Sequence, residues 1–272
     1  MRVVERISEI GTRGQNSVGF VPTMGALHEG HAALLRQSRA ENEISVLSIF
    51  VNPTQFGPNE DYSRYPRTLE ADLAIAERCG VDIVFLPDVE EMYPDHHIKL
   101  QVFGVTERWE GAKRPGHFDG VATVVAKLFG AVLPTRAYFG QKDLQQCQVV
   151  RTMVTGLNLP IALVICETVR EADGLAMSSR NRYLSPTERE LAPQLYRKLS
   201  EAKSMISQGS SVRETLADAI TELSSNGFVV DYFDYVDLPA MLPLVTLQQD
   251  SALICAAKLG TTRLIDNVVF LS

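Results

Sequence analysis

The stretch Val18-Gly19-Phe20-Val21-Pro22-Thr23-Met24-Gly25-Ala26-Leu27-His28-Glu29-Gly30-His31 carries the signal that decides the fold. A short apolar run ends at Pro22-Thr23, a glycine-containing turn follows, and a helical apolar period begins at the histidines. A buried strand feeding a helix has this appearance. His28 and His31 stand three apart, which on a helix puts both rings on one face near its N-terminus. Gly30 leaves that face bare, so a flat ligand has room against the backbone. The N–H groups of a helix start favour anions, phosphate above all. The stretch therefore reads as a nucleotide site with two imidazoles aimed at phosphate. The alternative is a surface helix with two incidental histidines. No third ligand with credible spacing accompanies the pair, so metal ligation by the histidines is not expected.

Outward from this stretch, Ile44 to Val51 is a strand rich in β-branched residues, and Asn52 to Asn59 is the loop at its end. A polar loop from Glu60 to Arg67 leads to a helix over 68–79, stopped by Gly80, and then a strand over 81–86. Farther on come a helix over 121–132, a strand over 135–139 with the exit turn Gly140-Gln141-Lys142-Asp143, a helix over 144–157 and a strand over 161–164. Alternating strands and helices imply parallel pairing with right-handed crossovers, and ligands bind beyond the carboxyl ends of such strands. Residues 1–15 read as a short amphipathic helix and Ile98 to Val102 as a strand. The polar stretch Glu171 to Asn181 marks a domain boundary. Beyond it, helical segments over 186–208 and 211–226 and strands over 229–236, 253–257 and 264–270 suggest a small α+β domain.

Bulk properties narrow the field. The chain has 272 residues, 45% hydrophobic and 22% charged, a composition ordinary for globular proteins. Its net charge of -7 argues against a nucleic-acid binder with a broad basic surface. No apolar run approaches transmembrane length, and Met1 to Arg6 does not read as a signal peptide, so no membrane association is expected. Cys79, Cys147, Cys166 and Cys255 are scattered without a C-x-x-C pair, which fits reduced thiols in a cytoplasmic protein. Both the G-x-G-x-x-G fingerprint and a Walker A sequence are absent.

The strand-exit loops hold the other candidates. Asn52 and Gln55 are placed to hydrogen-bond a polar substrate, although Asn before proline is also ordinary turn chemistry. Lys142 offers a point charge to phosphate, against the alternative of a solvated lysine, and Asp143 suits the N-cap of the next helix. Met177-Ser178-Ser179-Arg180 gathers two hydroxyls, backbone donors and a guanidinium, a set suited to a triphosphate tail. Each signal is weak separately; their convergence after strands of one sheet carries the reading.

Six motifs, taken together, resemble pantothenate synthetases: Pro22 to His31, Phe50-Val51-Asn52-Pro53-Thr54-Gln55-Phe56, Tyr65-Pro66-Arg67-Thr68, Gly116-His117-Phe118, Phe139 to Asp143, and Arg170 to Asn181. The resemblance covers Val18 to Leu184. It implies an α/β fold with a Rossmann-like parallel sheet and helices on both faces, of the His-x-Gly-His nucleotidyltransferase superfamily. Residues 1–175 would bind ATP and pantoate, and residues 176–272 would form a smaller α+β domain closing over the active site. It implies condensation of (R)-pantoate with β-alanine, driven by ATP cleavage to AMP and pyrophosphate through a pantoyl adenylate. A Mg²⁺ requirement, a homodimer and a cytoplasmic place in pantothenate biosynthesis are implied as well.

By match of motif, ATP would be contacted by Met24, Gly25, Ala26, Leu27, His28, Glu29, Gly30 and His31. The same match adds Gly140, Gln141, Lys142, Asp143, Val169, Met177, Ser178, Ser179 and Arg180. His28, His31, Lys142, Ser178, Ser179 and Arg180 would be the catalytic set. Gln55, Gln146, Asn52, Tyr65 and Arg114 would bind substrate, and Asp72 is the Mg²⁺ contact offered by the resemblance.

This chemistry suits the residues. Pantoate is ionised at neutral pH, so its attack on the α-phosphorus needs alignment and charge stabilisation, not a general base. An acyl adenylate is sensitive to water, so the site should close, and Gly57 to Arg64 is the candidate lid. The rival readings are a nucleotidyltransferase that transfers a nucleotidyl group and stops, and a nucleotide-sensing module without turnover.

Overall fold

In the computed structural model, which describes residues 1–14, 17–58, 60, 62–95 and 97–270, the chain forms two compact units. One holds residues 1–140 and 145–167, the other residues 141–144 and 168–272. The longer segment of the second unit starts at Thr168. Asn59 and Asp61 of the candidate lid lie outside the described residues.

The first unit is built on β1 (Arg2–Val4), β2 (Val18–Thr23), β3 (Ile44–Ile49), β4 (Ile83–Phe85), β5 (Arg136–Gly140) and β6 (Ala162–Cys166). They form one parallel sheet in the order β1-β4-β3-β2-β5-β6. Its helices are α1 (Glu29–Glu41), α2 (Leu69–Arg78), the short α3 (Val89–Met92) and α4 (Trp109–Lys113), α5 (His117–Val132) and α6 (Leu144–Gly156). Successive strand residues point to opposite faces. Phe20, Val46, Phe85 and Phe139 enter one core with α5 and α6. Val21, Leu47, Val84 and Tyr138 enter a second core with α1 and α2. Burial on both faces explains why these strands read as continuous apolar runs. The strand order reverses between β2 and β5, and the turn leaving β2 opens onto that switch point.

Two local expectations fail in this unit. Residues 1–14 do not form the amphipathic helix expected over 1–15, whose last residue lies outside the described residues. Arg2–Val4 pair with Ile83–Phe85 as an edge strand, and a 3-10 turn covers Ile7–Glu9. Val4 and Ile10 reach the core from that extended start, so tertiary pairing overrides the helical period. Residues 98–102 are irregular: Leu100 and Val102 pack on the core, and the Leu100 N–H donates to Thr123 Oγ1 at 2.9 Å in place of a strand partner.

The second unit carries α7 (Pro186–Leu191), α8 (Gln194–Ser207), α9 (Val212–Ser225) and an antiparallel sheet of β7 (Phe228–Asp237), β8 (Ser251–Leu259) and β9 (Thr262–Phe270). The helix expected over 186–208 divides before Pro193, which has no N–H to continue α7. Leu195, Leu199 and Ile206 of α8 pack with Leu223 of α9 against Phe233, Leu253 and Leu264 of the sheet. No helix among the described residues is long and apolar enough to cross a membrane.

Candidate active site

The turn between β2 and α1 is held from a distance. Asp72, on α2, is 1% exposed. Its Oδ2 accepts the Ala26 N–H at 3.0 Å and its Oδ1 the Leu27 N–H at 2.8 Å; Thr68 Oγ1 donates to Oδ1 at 3.1 Å. Gly25 has φ +82°, and a Cβ there would lie 3.0 Å from Asp72 Oδ2, so a side chain would be strained by the backbone and crowded by the carboxylate. Asp72, expected as a Mg²⁺ contact, thus uses both carboxylate oxygens to hold the turn.

That turn delivers His28 as the N-cap of α1. His28 Nδ1 accepts the Gly30 N–H at 3.1 Å, and His31 Nδ1 accepts the His28 N–H at 3.3 Å. The ring centroids are 4.1 Å apart. A backbone donor at each Nδ1 puts the proton of the neutral ring on Nε2. Both imidazoles are thereby set as Nε2–H donors. Glu29 points elsewhere, into an ion pair with Arg36.

The loop after β3 presents Gln55. Asn52, 1% exposed, accepts the Thr54 N–H and the Tyr93 hydroxyl, and its amide donates to Gly120 O at 3.2 Å and Gln55 Oε1 at 3.1 Å. These bonds engage both ends of the side chain of Asn52, expected as a substrate contact, and hold it against Gln55. The Gln55 carbonyl oxygen is occupied and its Nε2 lies 3.2 Å from Met24 Sδ, which brings Gln55 to the β2 turn. Tyr65 packs edge-on to Phe56, with centroids 6.0 Å apart. A Cβ on Gly120 would collide with Thr54 O and the Gln55 backbone, so α5 approaches this loop only through glycine.

Behind Gln55 stands a chain of polar and charged groups, Glu60, Arg114 and His117. Glu60 binds the Arg114 guanidinium in two places, at 2.7 and 2.6 Å. Arg114 Nη1 donates to His117 Nε2 at 2.9 Å, which leaves His117 Nδ1–H to donate to Gln55 O at 2.9 Å. Arg114, expected as a substrate contact, pairs here with Glu60 and His117. Burial, with the Arg114 charge beside it, lowers the His117 pKa from 6.5 to about 4. The unfolded chain therefore takes up a proton that the folded protein refuses, and stability falls as pH drops from 6.5 through about 4 and levels off below. The gap is worth about 3 kcal/mol. Urea denaturation across this window is expected to show that loss, and His117→Asn to remove it; an equal slope in the variant refutes the assignment.

Gln146, in the first turn of α6, is half-buried. Its neighbour Gln145 is buried and ties the segment before α4, donating to Val105 O at 2.7 Å and Arg108 O at 2.9 Å and accepting the Glu110 N–H at 2.9 Å. Gly140 ends β5 and accepts from Cys147 Sγ.

The second unit holds the remaining candidates. Gln141–Asp143 form a 3-10 turn, with Lys142 Nζ 3.7 Å from Asp143 Oδ1. Val169 O accepts the Met177 N–H at 3.0 Å, closing a hairpin. Ser178 caps the 3-10 helix Ser179–Tyr183, its Oγ accepting the Arg180 N–H at 3.3 Å. Among the described residues no group of three or more His, Cys, Asp or Glu is arranged to hold a metal.

A doubly covered parallel sheet, with two Nε2–H imidazoles at its switch point, defines an α/β protein of the Rossmann-like nucleotide-binding class. The pantoate-beta-alanine ligase family matches residues 1–269. The chain belongs to that family. A pantothenate synthetase of Herpetosiphon aurantiacus is 50% identical over 99% of this chain and 100% of its own length. The crystal structure of the pantothenate synthetase of Thermus thermophilus is 50% identical, covers 100% of both chains and superposes with a TM-score of 0.95. The pantoate-beta-alanine ligase of Francisella tularensis, complexed with beta-gamma ATP and beta-alanine, is 33% identical over 99% of this chain and 97% of its own, with a TM-score of 0.83.

Proposed function

We propose that this chain condenses (R)-pantoate with β-alanine at the expense of ATP, yielding pantothenate, AMP and pyrophosphate through an enzyme-bound pantoyl adenylate. The observation that carries the reading is the pair of backbone N–H bonds to His28 Nδ1 and His31 Nδ1, which suit each ring to donate from Nε2 to a phosphate gaining charge. A carboxylate oxygen of pantoate attacks the α-phosphorus, and the bond to the β-phosphate oxygen breaks. Pyrophosphate leaves with the electron pair. The neutral amine of β-alanine then attacks the acyl carbonyl, the bond to AMP breaks, and the nitrogen gives up a proton.

From the first unit, the Met24–His31 turn is assigned to ATP, with His28 and His31 donating to the α-phosphate. Gln55 and Gln146 are assigned to pantoate, and Tyr65 to the wall beside Gln55. The fixed Gln55 amide, with one Nε2–H directed at Met24 Sδ, offers the other to a carboxylate or hydroxyl oxygen. From the second unit, Lys142, Ser178, Ser179 and Arg180 are assigned to the polyphosphate, where a point charge and a fork of donors suit phosphate oxygens. Mg²⁺ is assigned to the triphosphate itself, since Asp72 is engaged by backbone donors and Mg²⁺ is commonly carried by substrate phosphates. A homodimer and a cytoplasmic location are part of the proposal; four buried free thiols support a reducing compartment.

Incubation with ATP, Mg²⁺, pantoate and labelled β-alanine tests the reading. Pantothenate appearing with equimolar AMP is the expected result. Nucleotidyl transfer without amide formation, or binding without turnover, overturns it.

A further inference from the structure

β9 carries two adjacent buried polar residues, Asp266 and Asn267, 4% and 2% exposed. Neighbours on a strand point to opposite faces, so the pair reaches two different segments of the second unit. Asn267 Nδ2 donates to the carbonyl oxygens of Gln141 at 2.9 Å and Lys142 at 3.0 Å, and its Oδ1 accepts from Gln141 Nε2 at 3.3 Å. Asp266 accepts both arms of the Arg170 guanidinium, at 2.6 and 2.9 Å. Arg170 also donates to Gly174 O at 3.1 Å and lies 3.5 Å from the centroid of the Tyr196 ring. Its backbone bridges Ala176, so the guanidinium braces the hairpin that leads into Met177 to Arg180. Asp266 Oδ1 further accepts the Asn267 N–H at 2.8 Å, tying the two anchor points together.

A buried ion pair adds little stability over an apolar replacement, because desolvation offsets its attraction. What the pair gains here is geometry. One side chain grips the Lys142 turn and the next grips the root of the Ser178–Arg180 loop. We propose that Asp266 and Asn267 are positioning residues that set the Lys142 turn and the Ser178–Arg180 loop at the spacing the polyphosphate of ATP requires. This rests on the reading that those two segments hold the polyphosphate.

The test compares Asn267→Ala with Lys142→Ala in the full chain. Asn267→Ala is expected to raise KM for ATP about tenfold and to slow ATP–pyrophosphate exchange, because it removes the three side-chain hydrogen bonds to the Lys142 turn. KM for pantoate should stay within about twofold, and aminolysis of preformed pantoyl adenylate by β-alanine should be spared, because only positioning in the first half-reaction is disturbed. Asn267→Ser gives the same readings should the alanine variant fail to fold. A folded variant with unchanged KM for ATP, or with both half-reactions slowed alike, overturns the positioning role. If Lys142→Ala leaves KM for ATP untouched, the polyphosphate reading falls and this proposal with it. If Lys142→Ala raises it and the Asn267 variants do not, the positioning role alone falls.

Discussion

His31→Ala is expected to lower ATP–pyrophosphate exchange by about 100- to 1,000-fold, the loss seen when one preorganised donor to a developing oxyanion is removed. The ring is held at the start of α1 by the His28 N–H at its Nδ1, so no reorientation is needed when charge builds on the α-phosphate. A methyl group offers no donor, and a water in its place is not preorganised. The same substitution strips one capping interaction from α1, at a cost of about 1 kcal/mol. A protein of this size should remain folded through such a loss, so circular dichroism should be preserved while exchange collapses. Near-normal exchange would remove His31 from the reaction.

The second large effect belongs to Asp72, which holds the turn ahead of the histidines. Asp72→Ala leaves the Ala26 and Leu27 N–H groups buried without an acceptor, and each hydrogen bond to a charged group contributes about 1.5–3 kcal/mol. Stability should therefore fall by about 3 kcal/mol or more. Adenylation should fall with it, because Ala26 has φ +50° and relaxes once its N–H is released, carrying His28 out of register. Asp72→Asn separates a clamp from a metal ligand. The clamp predicts lower stability with the same Mg²⁺ concentration at half-maximal rate. A raised Mg²⁺ requirement at unchanged stability would restore Asp72 to the metal.

Much of the first unit was legible because burial leaves a local trace. The runs at Val18–Thr23 and Ile44–Ile49 are apolar on both faces, and the glycine turn with its two histidines announces a helix start. What stayed hidden is every arrangement whose two ends lie far apart in the chain. Asp72 meets Ala26 across 46 positions, and Asn267 meets Gln141 across 126. An acidic residue in the first turn of α2 suits the helix dipole and betrays nothing of its distant partner. Asn52 reads as turn chemistry and as a ligand contact equally well; only its full set of partners decides. His117 sat inside a recognised motif, yet its tautomer depends on Arg114 and Gln55 together. The Arg2–Val4 strand failed for the complementary reason, since its apolar spacing fits a helix while β4 offers it an edge.

The brief return of residues 141–144 to the second unit has a consequence for how such an enzyme can be divided and recombined. The chain passes from one unit to the other at residues 140, 144 and 167, so no single cut yields two complete pieces. A fragment beginning at residue 168 would lack the carbonyls that Asn267 grips, and its β9 edge would carry bare amide donors into the interior. The C-terminal part is thus not a portable cassette. Gene fusion or exchange between relatives must carry the short 141–144 insert along with it, and lineages are expected to inherit both units as one block.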